Sequence, residues 1–161
     1  MGRAKRIDAV DLRVNGELVC SARRPRLGAL DAPLRGVALS DSPVLIRASR
    51  EEDRIHVAGR LHALGRRRAL PMHECRSVAE ARALVKSGAH GTWALFDVAA
   101  WSDGEQRNLA RLIALFDQHR LHGNLAREEL PRIVVIESSD SGGKLRPELE
   151  QRLAFFNIAI A

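Results

Sequence analysis

The segment from Pro43 to Gly65, PVLIRASREEDRIHVAGRLHALG, restricts the possible folds more than any other part of the sequence. Its apolar run, Val44 to Ile46, is typical of a buried parallel strand. Apolar residues then recur at the spacing of one helix face, at Ile55, Ala58, Leu61 and Leu64. A strand, a loop and a helix in this order form the geometry with which nucleotide-binding folds hold phosphates.

The loop of this unit lacks the chemistry of a phosphate site. It contains no glycine, and three carboxylates, Glu51, Glu52 and Asp53, stand at the start of the helix. These carboxylates compete with a bound anion for the positive end of the helix dipole. Ser49 and Glu52 have the spacing of a capping box, which predicts that the helix begins at this point.

Length and composition indicate one domain, or one domain with a short appendage. The chain has 161 residues, 45% of them hydrophobic, which is enough for a buried core. No apolar run approaches the roughly 20 residues that cross a bilayer, and no signal peptide is recognisable. Cys20 and Cys75 are the only cysteines, which fits a reducing compartment, and His73 with Cys75 has no second ligand pair. We expect a cytoplasmic protein without a membrane segment, metal or cofactor.

The N-terminal part is predicted to be a hairpin followed by a connector. Asn15-Gly16 within residues 7–22 is a preferred sequence for a type I′ turn between two strands. Residues 23–42 are rich in proline, glycine and small side chains and predict an irregular connector. We therefore divide the chain into a hairpin and connector, residues 1–41, and an α/β core, residues 42–161.

Strands and helices alternate through the predicted core. Further strands are expected at residues 69–74, 91–99, 131–137 and 155–161, and helices after Ser77, after Ser102 and at 145–154. This alternation predicts a three-layer α/β/α sandwich with a mostly parallel five-stranded sheet. Ligands bind such sheets at the carboxyl ends of the strands, where Ser49, Asp97 and Ser138 are expected.

Five segments of the core follow the sequence pattern of one known ATPase family. Residues 44–62, VLIRASREEDRI and HVAGRLH, align without a gap to VLIRGESGTGKE and LVARAIH, and Glu74-Cys75 is similar to an Asn-Cys pair. The later segments are GTWALFDV, RIVVIES and LRPELEQRLAFFNI, which are similar to GTLFLDEI, RVIAATN and FREDLYYRLNVFPI. In this order they resemble the AAA+ ATPase domain of bacterial sigma-54-dependent transcription activators, the enhancer-binding proteins. The resemblance implies a P-loop NTPase core.

The resemblance also implies that the phosphate-binding loop is degenerate. Ala48, Glu51 and Asp53 stand at the three P-loop glycine positions, and Arg54 replaces the phosphate-binding lysine. A P-loop works because its glycines let backbone N–H groups close around the phosphates. The carboxylates of this chain would repel them.

The Walker B and sensor positions depart from the family in the same way. Phe96 replaces the aspartate that coordinates magnesium, and a phenyl ring offers no oxygen ligand. Asp97 replaces the general-base glutamate, and Ser138 replaces the sensor-one asparagine. Arg146 and Arg152 match the arginines that the family offers as fingers to a neighbouring subunit. Compared with this family, the sequence is expected to lack the GAFTGA loop, the helical lid and the helix-turn-helix DNA reader.

The leading hypothesis is a catalytically inactive, AAA+-like pseudo-ATPase that acts as a protein-interaction or regulatory module, with a link to sigma-54-type regulation. Its partner is expected to be an AAA+ or transcription-regulatory protein, or a second copy. The net charge of +6 leaves open a nucleic-acid-associated protein that uses the clusters at residues 3–6, 23–26 and 66–68. A residual nucleotide-binding ATPase is another alternative. A hydrolase using Ser49, Ser138, Asp97 and the histidines at 56, 62 and 73 lacks a nucleophile motif.

Overall fold

Strands and helices alternate along the part of the chain that the computed structural model describes, residues 7, 9–23, 25, 27–123 and 129–161. The strands are β1 Ala9–Val14, β2 Glu17–Arg23, β3 Val44–Ala48, β4 Met72–Cys75, β5 Thr92–Phe96, β6 Arg132–Ser138 and β7 Phe156–Ile160. The helices are α1 Asp31–Leu39, α2 Glu51–Leu64, α3 Val78–Ser87, α4 Asp103–His122 and α5 Pro147–Leu153. Two short 3-10 helices, Leu27–Leu30 and Val98–Ala100, complete the described elements.

All the strands belong to one seven-stranded sheet, in the order β2-β1-β7-β3-β6-β5-β4. The five strands from β7 to β4 are parallel to one another, whereas β1 is antiparallel to both β7 and β2. The predicted α/β class and mostly parallel sheet are therefore confirmed. The sheet has two more strands than the five predicted because the N-terminal hairpin extends it, with β1 hydrogen-bonded to β7.

The hairpin itself forms as the turn sequence predicts. Asn15 and Gly16 both have positive φ angles, 50° and 82°, as a type I′ turn requires at its two central residues. Val10 and Leu12 alternate with polar neighbours along β1 and point into the core. Because of these two side chains, the hairpin is joined to the sheet by packing as well as by hydrogen bonds.

The prediction of an irregular connector at residues 23–42 is wrong, because α1 lies within it. Leu34, Val37 and Ala38 form a buried face that packs against α2, and this tertiary packing outweighs the local turn signals. Pro33 is accommodated because it lies in the first helical turn, where backbone N–H groups have no intrahelical acceptor.

The core consists of two apolar clusters, one on each face of the sheet. Val44 and Ile46 of β3 pack with α1 and α2, and Leu45 between them packs with α4 and α5 on the other face. The first cluster also contains Ile7, Val10 and Leu12. Residues on both sides of the proposed division at 41/42 thus contribute to one cluster.

Buried arginines hold α1 at the amino ends of the strands. Arg132 donates hydrogen bonds to the carbonyls of Val37 and Ala38, at 2.6 and 2.8 Å. Its pKa is lowered to about 10, mainly because the guanidinium is buried and in smaller part because of the positive charge of Arg67. Arg67 is also buried and bonds to the Leu130 carbonyl and to Asp41. In the arginine cluster at 66–68, Arg67 is therefore unavailable to nucleic acid. The cluster at 3–6 lies wholly outside the described residues, and the cluster at 23–26 lies partly outside them.

Candidate functional site

The carboxyl ends of β3, β5 and β6 meet at one edge of the sheet. In the parallel register Ala48 is opposite Ser138, and Phe96 is opposite Ile136. Asp97 follows β5 directly, and its backbone N–H donates to the Ile136 carbonyl at 3.0 Å. The structure therefore brings the sequence-selected positions of all three strands to the same edge.

The start of α2 differs from the predicted capping box. The N-cap residue is Arg50, in an extended conformation, and no side chain caps the helix. Ser49 lies one residue too early to act as the N-cap, and the guanidinium of Arg50 approaches the carboxylates of Glu52 and Asp53 at 3.5 and 3.8 Å. The predicted role of Ser49 is therefore wrong: no side chain caps the helix, and Glu52 and Asp53 of its first turn are held by ion pairs with Arg50.

Arg54, which the sequence alignment places opposite the P-loop lysine of the resembling family, is buried within this edge, with only 8% of its surface exposed. Its Nη1 atom is 3.9 Å from Oδ1 of Asp97. This distance is too long for a hydrogen bond but is within the range of an ion pair. Neither Nε nor Nη1 of Arg54 has a hydrogen-bond partner among the described residues. Arg54 and Asp97, which the alignment matched to the phosphate-binding lysine and the general-base glutamate, thus form an ion pair with each other.

Phe96, which the sequence alignment places opposite the magnesium-binding aspartate, is buried beneath a cation. The guanidinium carbon of Arg76 lies 4.3 Å from the centre of the Phe96 ring. The same guanidinium forms an ion pair with Glu51 at the start of α2, with 2.6 Å between Nη1 of Arg76 and Oε1 of Glu51. Its Nη2 lies 3.8 Å from Oε2 of Glu74. Arg76 therefore bridges the end of β4 and the N-terminus of α2 across Phe96, in a cation–π contact.

Glu137 fixes the backbone that follows Asp97. Asp97 has a left-handed conformation, with φ 54° and ψ 40°, and precedes the short 3-10 helix Val98–Ala100. Oε1 of Glu137 accepts a hydrogen bond from the Ala99 N–H at 3.0 Å. Burial raises the pKa of Glu137, and the bond from Ala99 opposes this effect. Glu137 thus stabilises the turn that presents Asp97.

Sequence reasoning missed both Arg76 and Glu137. The signal for Arg76 was a cation directly after a strand, in a region where three carboxylates of α2 needed partners. The signal for Glu137 was a carboxylate within the apolar strand RIVVIES, since a charged residue in a buried strand needs a specific partner. Neither signal identifies the partner, which is supplied by a distant helix, strand or turn.

Two residues of the hypothetical hydrolytic set, Ser138 and His62, lie at opposite edges of the sheet. The Ser138 hydroxyl accepts a hydrogen bond from the Asp140 N–H at 3.3 Å, within its own loop. His62 lies near the amino end of β5, where Nδ1 is 2.8 Å from the hydroxyl of Thr92, the first residue of that strand. Because this is the opposite edge from Ser138, the two cannot form one hydrolytic set.

The two candidate arginine fingers differ in their surroundings. Arg146, at the N-cap of α5, forms two ion pairs. Its Nη1 lies 2.6 Å from Oδ2 of Asp103, and its Nε lies 3.4 Å from Oε2 of Glu148. Arg152, in the last turn of α5, is exposed and forms no ion pair with any described residue. Only Arg152 therefore has a guanidinium that is available to a partner without breaking a contact within the chain.

Metal and thiol chemistry find little support in the described part of the chain. There, no three His, Cys, Asp or Glu side chains are close enough to hold a metal ion. Both cysteines are free thiols, and burial raises the pKa of Cys75 to about 11, which disfavours the reactive thiolate. Within the same residues, the helices are too short or too polar to span a membrane.

Comparison with known proteins identifies the fold. No protein-family model matches the sequence, and curated proteins give no significant match. The P-loop NTPase domain of a sigma-54 transport activator from E. coli superposes with a TM-score of 0.59 at 19% identity, over 83% of this chain and 93% of that domain.

NtrX from Brucella abortus, at 19% identity, has TM-scores of 0.60 and, in complex with ATP, 0.58. These matches cover 83% of this chain but only 35% and 36% of the NtrX chains. The chain thus spans about a third of the length of NtrX. The strand order, the helical layers and these superpositions show that the chain has the fold of a P-loop NTPase domain, as found in sigma-54 activators.

Proposed function

We propose that this chain is a pseudo-ATPase, an AAA+-like core that binds no nucleotide and acts as a protein-interaction or regulatory module in sigma-54-type transcription regulation. The observation that carries the proposal is the closed edge of the sheet, at which Glu51 and Phe96 are both in contact with Arg76. In this arrangement the protein's own side chains occupy the edge at which a P-loop NTPase fold binds phosphates.

Electrostatics at the start of α2 support the same conclusion. Glu51, Glu52 and Asp53 form the first turn of the helix, which is the positive end of its dipole. Two like charges about 4 Å apart repel by about 1 kcal/mol in water and by about 4 kcal/mol near a protein surface. A triphosphate would meet these carboxylates with several negative charges, and Phe96 offers its magnesium ion no ligand.

Calorimetric titration with Mg·ATP and Mg·ADP tests the absence of nucleotide binding. We expect no binding tighter than about 1 mM, equivalent to about 4 kcal/mol, for the wild type. Arg76→Ala should not bind either, because the carboxylates of α2 remain. Micromolar binding by the wild type would refute the pseudo-ATPase and favour the residual nucleotide-binding ATPase.

A gain-of-binding variant provides the matched control for this titration. It restores the family's residues at four positions, through Glu51→Gly, Asp53→Gly, Arg54→Lys and Phe96→Asp. Circular dichroism and a cooperative unfolding transition establish that the variant is folded. Binding by the variant alone would show that these four side chains exclude the nucleotide.

The regulatory role requires a protein partner, which we expect to be an AAA+ or transcription-regulatory protein or a second copy. Arg152 is the arginine most available to it, since Arg146 is already paired with Asp103. Arg152→Ala should therefore reduce partner capture from a lysate, whereas Arg146→Ala should retain the partner. Capture that is unchanged by Arg152→Ala would contradict this role, and light scattering separates self-association from a different partner.

A further inference from the structure

The second strand of the hairpin, β2 Glu17–Arg23, forms one edge of the described sheet. It stands last in the strand order and is hydrogen-bonded to β1 alone among the described strands. The N–H and C=O groups on its other side therefore have no strand partner within the described part of the chain. To such an edge, another extended segment adds by main-chain hydrogen bonds.

The two edges of the sheet differ in the features that prevent such pairing. The opposite edge, β4 Met72–Cys75, has only four residues, and a short edge strand offers few hydrogen bonds. β2 has seven residues and contains neither lysine nor proline, which commonly protect an edge. β2 is therefore the edge that is more open to strand addition.

Apolar side chains of β2 are exposed where the strand is irregular. The register with β1 shifts between Leu12 and Arg13, which leaves Val19 without an opposite residue. Leu18 and Val19, adjacent in this bulge, are 49% and 62% exposed. From Cys20 to the end of the strand the pairing with β1 is regular, so this half of the outer edge keeps the spacing that a further strand needs.

The sequence of β2, ELVCSAR, is complementary to itself in the antiparallel direction. When two copies pair with Cys20 at the centre, Glu17 of one copy lies close to Arg23 of the other. The twofold symmetry repeats this contact at the other end, and only small or apolar side chains lie between the two ends. Neither Glu17 nor Arg23 forms an ion pair with any described residue, so both charges are available to a second copy.

We propose that two copies of this chain associate through β2, in the antiparallel direction and about a twofold axis near Cys20. The two sheets then become one continuous sheet, joined by about six to eight backbone hydrogen bonds and by two contacts between Glu17 and Arg23. The edge contains neither Arg76 nor Arg152, so this association does not depend on the pseudo-ATPase proposal.

Charge exchange tests the pairing directly, because Glu17 and Arg23 are exposed and can be replaced without loss of the fold. Sedimentation velocity over a concentration series should show a monomer–dimer equilibrium for the wild type. Glu17→Arg and Arg23→Glu each bring like charges together at both ends, so each variant should dimerise about ten-fold more weakly. An equal mixture of the two variants should recover the wild-type affinity, because each end of a mixed dimer again joins opposite charges.

Cross-linking at an exposed position locates the contact on β2. Val19→Cys in a Cys20→Ser background should give a covalent dimer with a short bismaleimide, since this pairing brings the two copies of the position to within about 8 Å. Leu121→Cys in the same background, on α4 and 84% exposed, is the matched control and should stay monomeric, and the buried Cys75 does not compete. Arg152→Ala should leave the dimer unchanged, which separates this association from one that uses α5.

Three results would overturn the proposal. The first is a monomer at every concentration, which would leave the edge to an extended segment of a different protein. The second is a mixture of the two charge variants that dimerises no better than either variant alone. The third is equal cross-linking at positions 19 and 121, or loss of the dimer in Arg152→Ala, since either would place the contact elsewhere.

Discussion

Arg54 is a buried cation whose ion-pair partner is mostly in solvent. Its guanidinium is 3.9 Å from Asp97, whose side chain is 62% exposed, and two of its nitrogen atoms have no hydrogen-bond partner in the described chain. Transfer of a cation out of water is costly, and a long, half-solvated ion pair compensates this cost only partly. The pair therefore contributes little to the stability of the fold.

Replacement of Arg54 should accordingly be tolerated better than replacement of its partner. Arg54→Met is expected to leave the free energy of unfolding unchanged or raise it by about 1 kcal/mol, because Asp97 stays hydrated. Asp97→Asn keeps a residue that accepts positive φ but leaves Arg54 without a counter-charge, so it should lower stability by about 1–2 kcal/mol. Urea denaturation compares the two, and a larger loss for Arg54→Met would contradict this ranking.

Glu137 should make stability depend on pH in a defined direction. Burial raises its pKa above the ordinary 4.5, so the folded chain binds this proton more readily than the unfolded chain. The stabilisation from Glu137 is complete below that ordinary pKa and is lost as the pH rises through the folded-state value. Glu137→Gln retains an acceptor for the Ala99 N–H and should gain stability relative to the wild type between about pH 4 and pH 7. A constant difference in unfolding free energy over this range would contradict the assignment.

The single-residue level marks the limit of what the sequence could predict about the site. Ser49, Asp97 and Ser138 were placed at one edge because each lies at or just after the end of a recognisable apolar strand. Arg76 and Glu137 act through partners that are distant in sequence, Glu51 and the turn at 98–100. Such contacts arise only after the strands have assembled, and no local pattern encodes them.

Among the structural elements, the helix starts show when a local motif determines structure. Ser77 and Ser102 cap α3 and α4 as predicted, each accepting a hydrogen bond from the N–H three residues later, at 3.3 Å. The same spacing at Ser49 and Glu52 fails, because the carboxylates there pair with arginines and α2 begins one residue later. Ion pairs at the carboxyl edge of the sheet thus outweigh a capping motif that forms at the other two helices.

This difference predicts unequal effects for two otherwise similar substitutions. Ser102→Ala removes the capping bond of α4 and should lower the free energy of unfolding by about 1 kcal/mol. Ser49→Ala removes no capping bond and, as an exposed change, should alter it by less than about 0.5 kcal/mol. Thermal or urea denaturation measures both, and an equal loss in the two variants would indicate that Ser49 caps α2 in solution.

At the scale of the whole molecule, the N-terminal hairpin is part of the sheet. β1 pairs with β7, the last strand of the described chain, so Ala9–Val14 lies beside Phe156–Ile160. The hairpin was predictable from Asn15-Gly16, but its pairing with a strand so distant in sequence was not. Val10 and Leu12 extend the cluster formed by α1 and α2, which gives the hairpin and the parallel strands a common hydrophobic core.

A shared core predicts that damage to the hairpin destabilises the whole fold. Leu12→Ala should lower the free energy of unfolding by about 2–5 kcal/mol, the usual loss for a fully buried leucine. Trp93 and Trp101 report this change from the opposite face of the sheet, so their fluorescence should shift to a lower urea midpoint in one cooperative step. Leu18→Ala, in the same hairpin but at a 49% exposed position, should leave the midpoint nearly unchanged. If Leu12→Ala unfolds the hairpin while the tryptophan transition keeps the wild-type midpoint, residues 1–41 form a separate unit, as the division at 41/42 predicts.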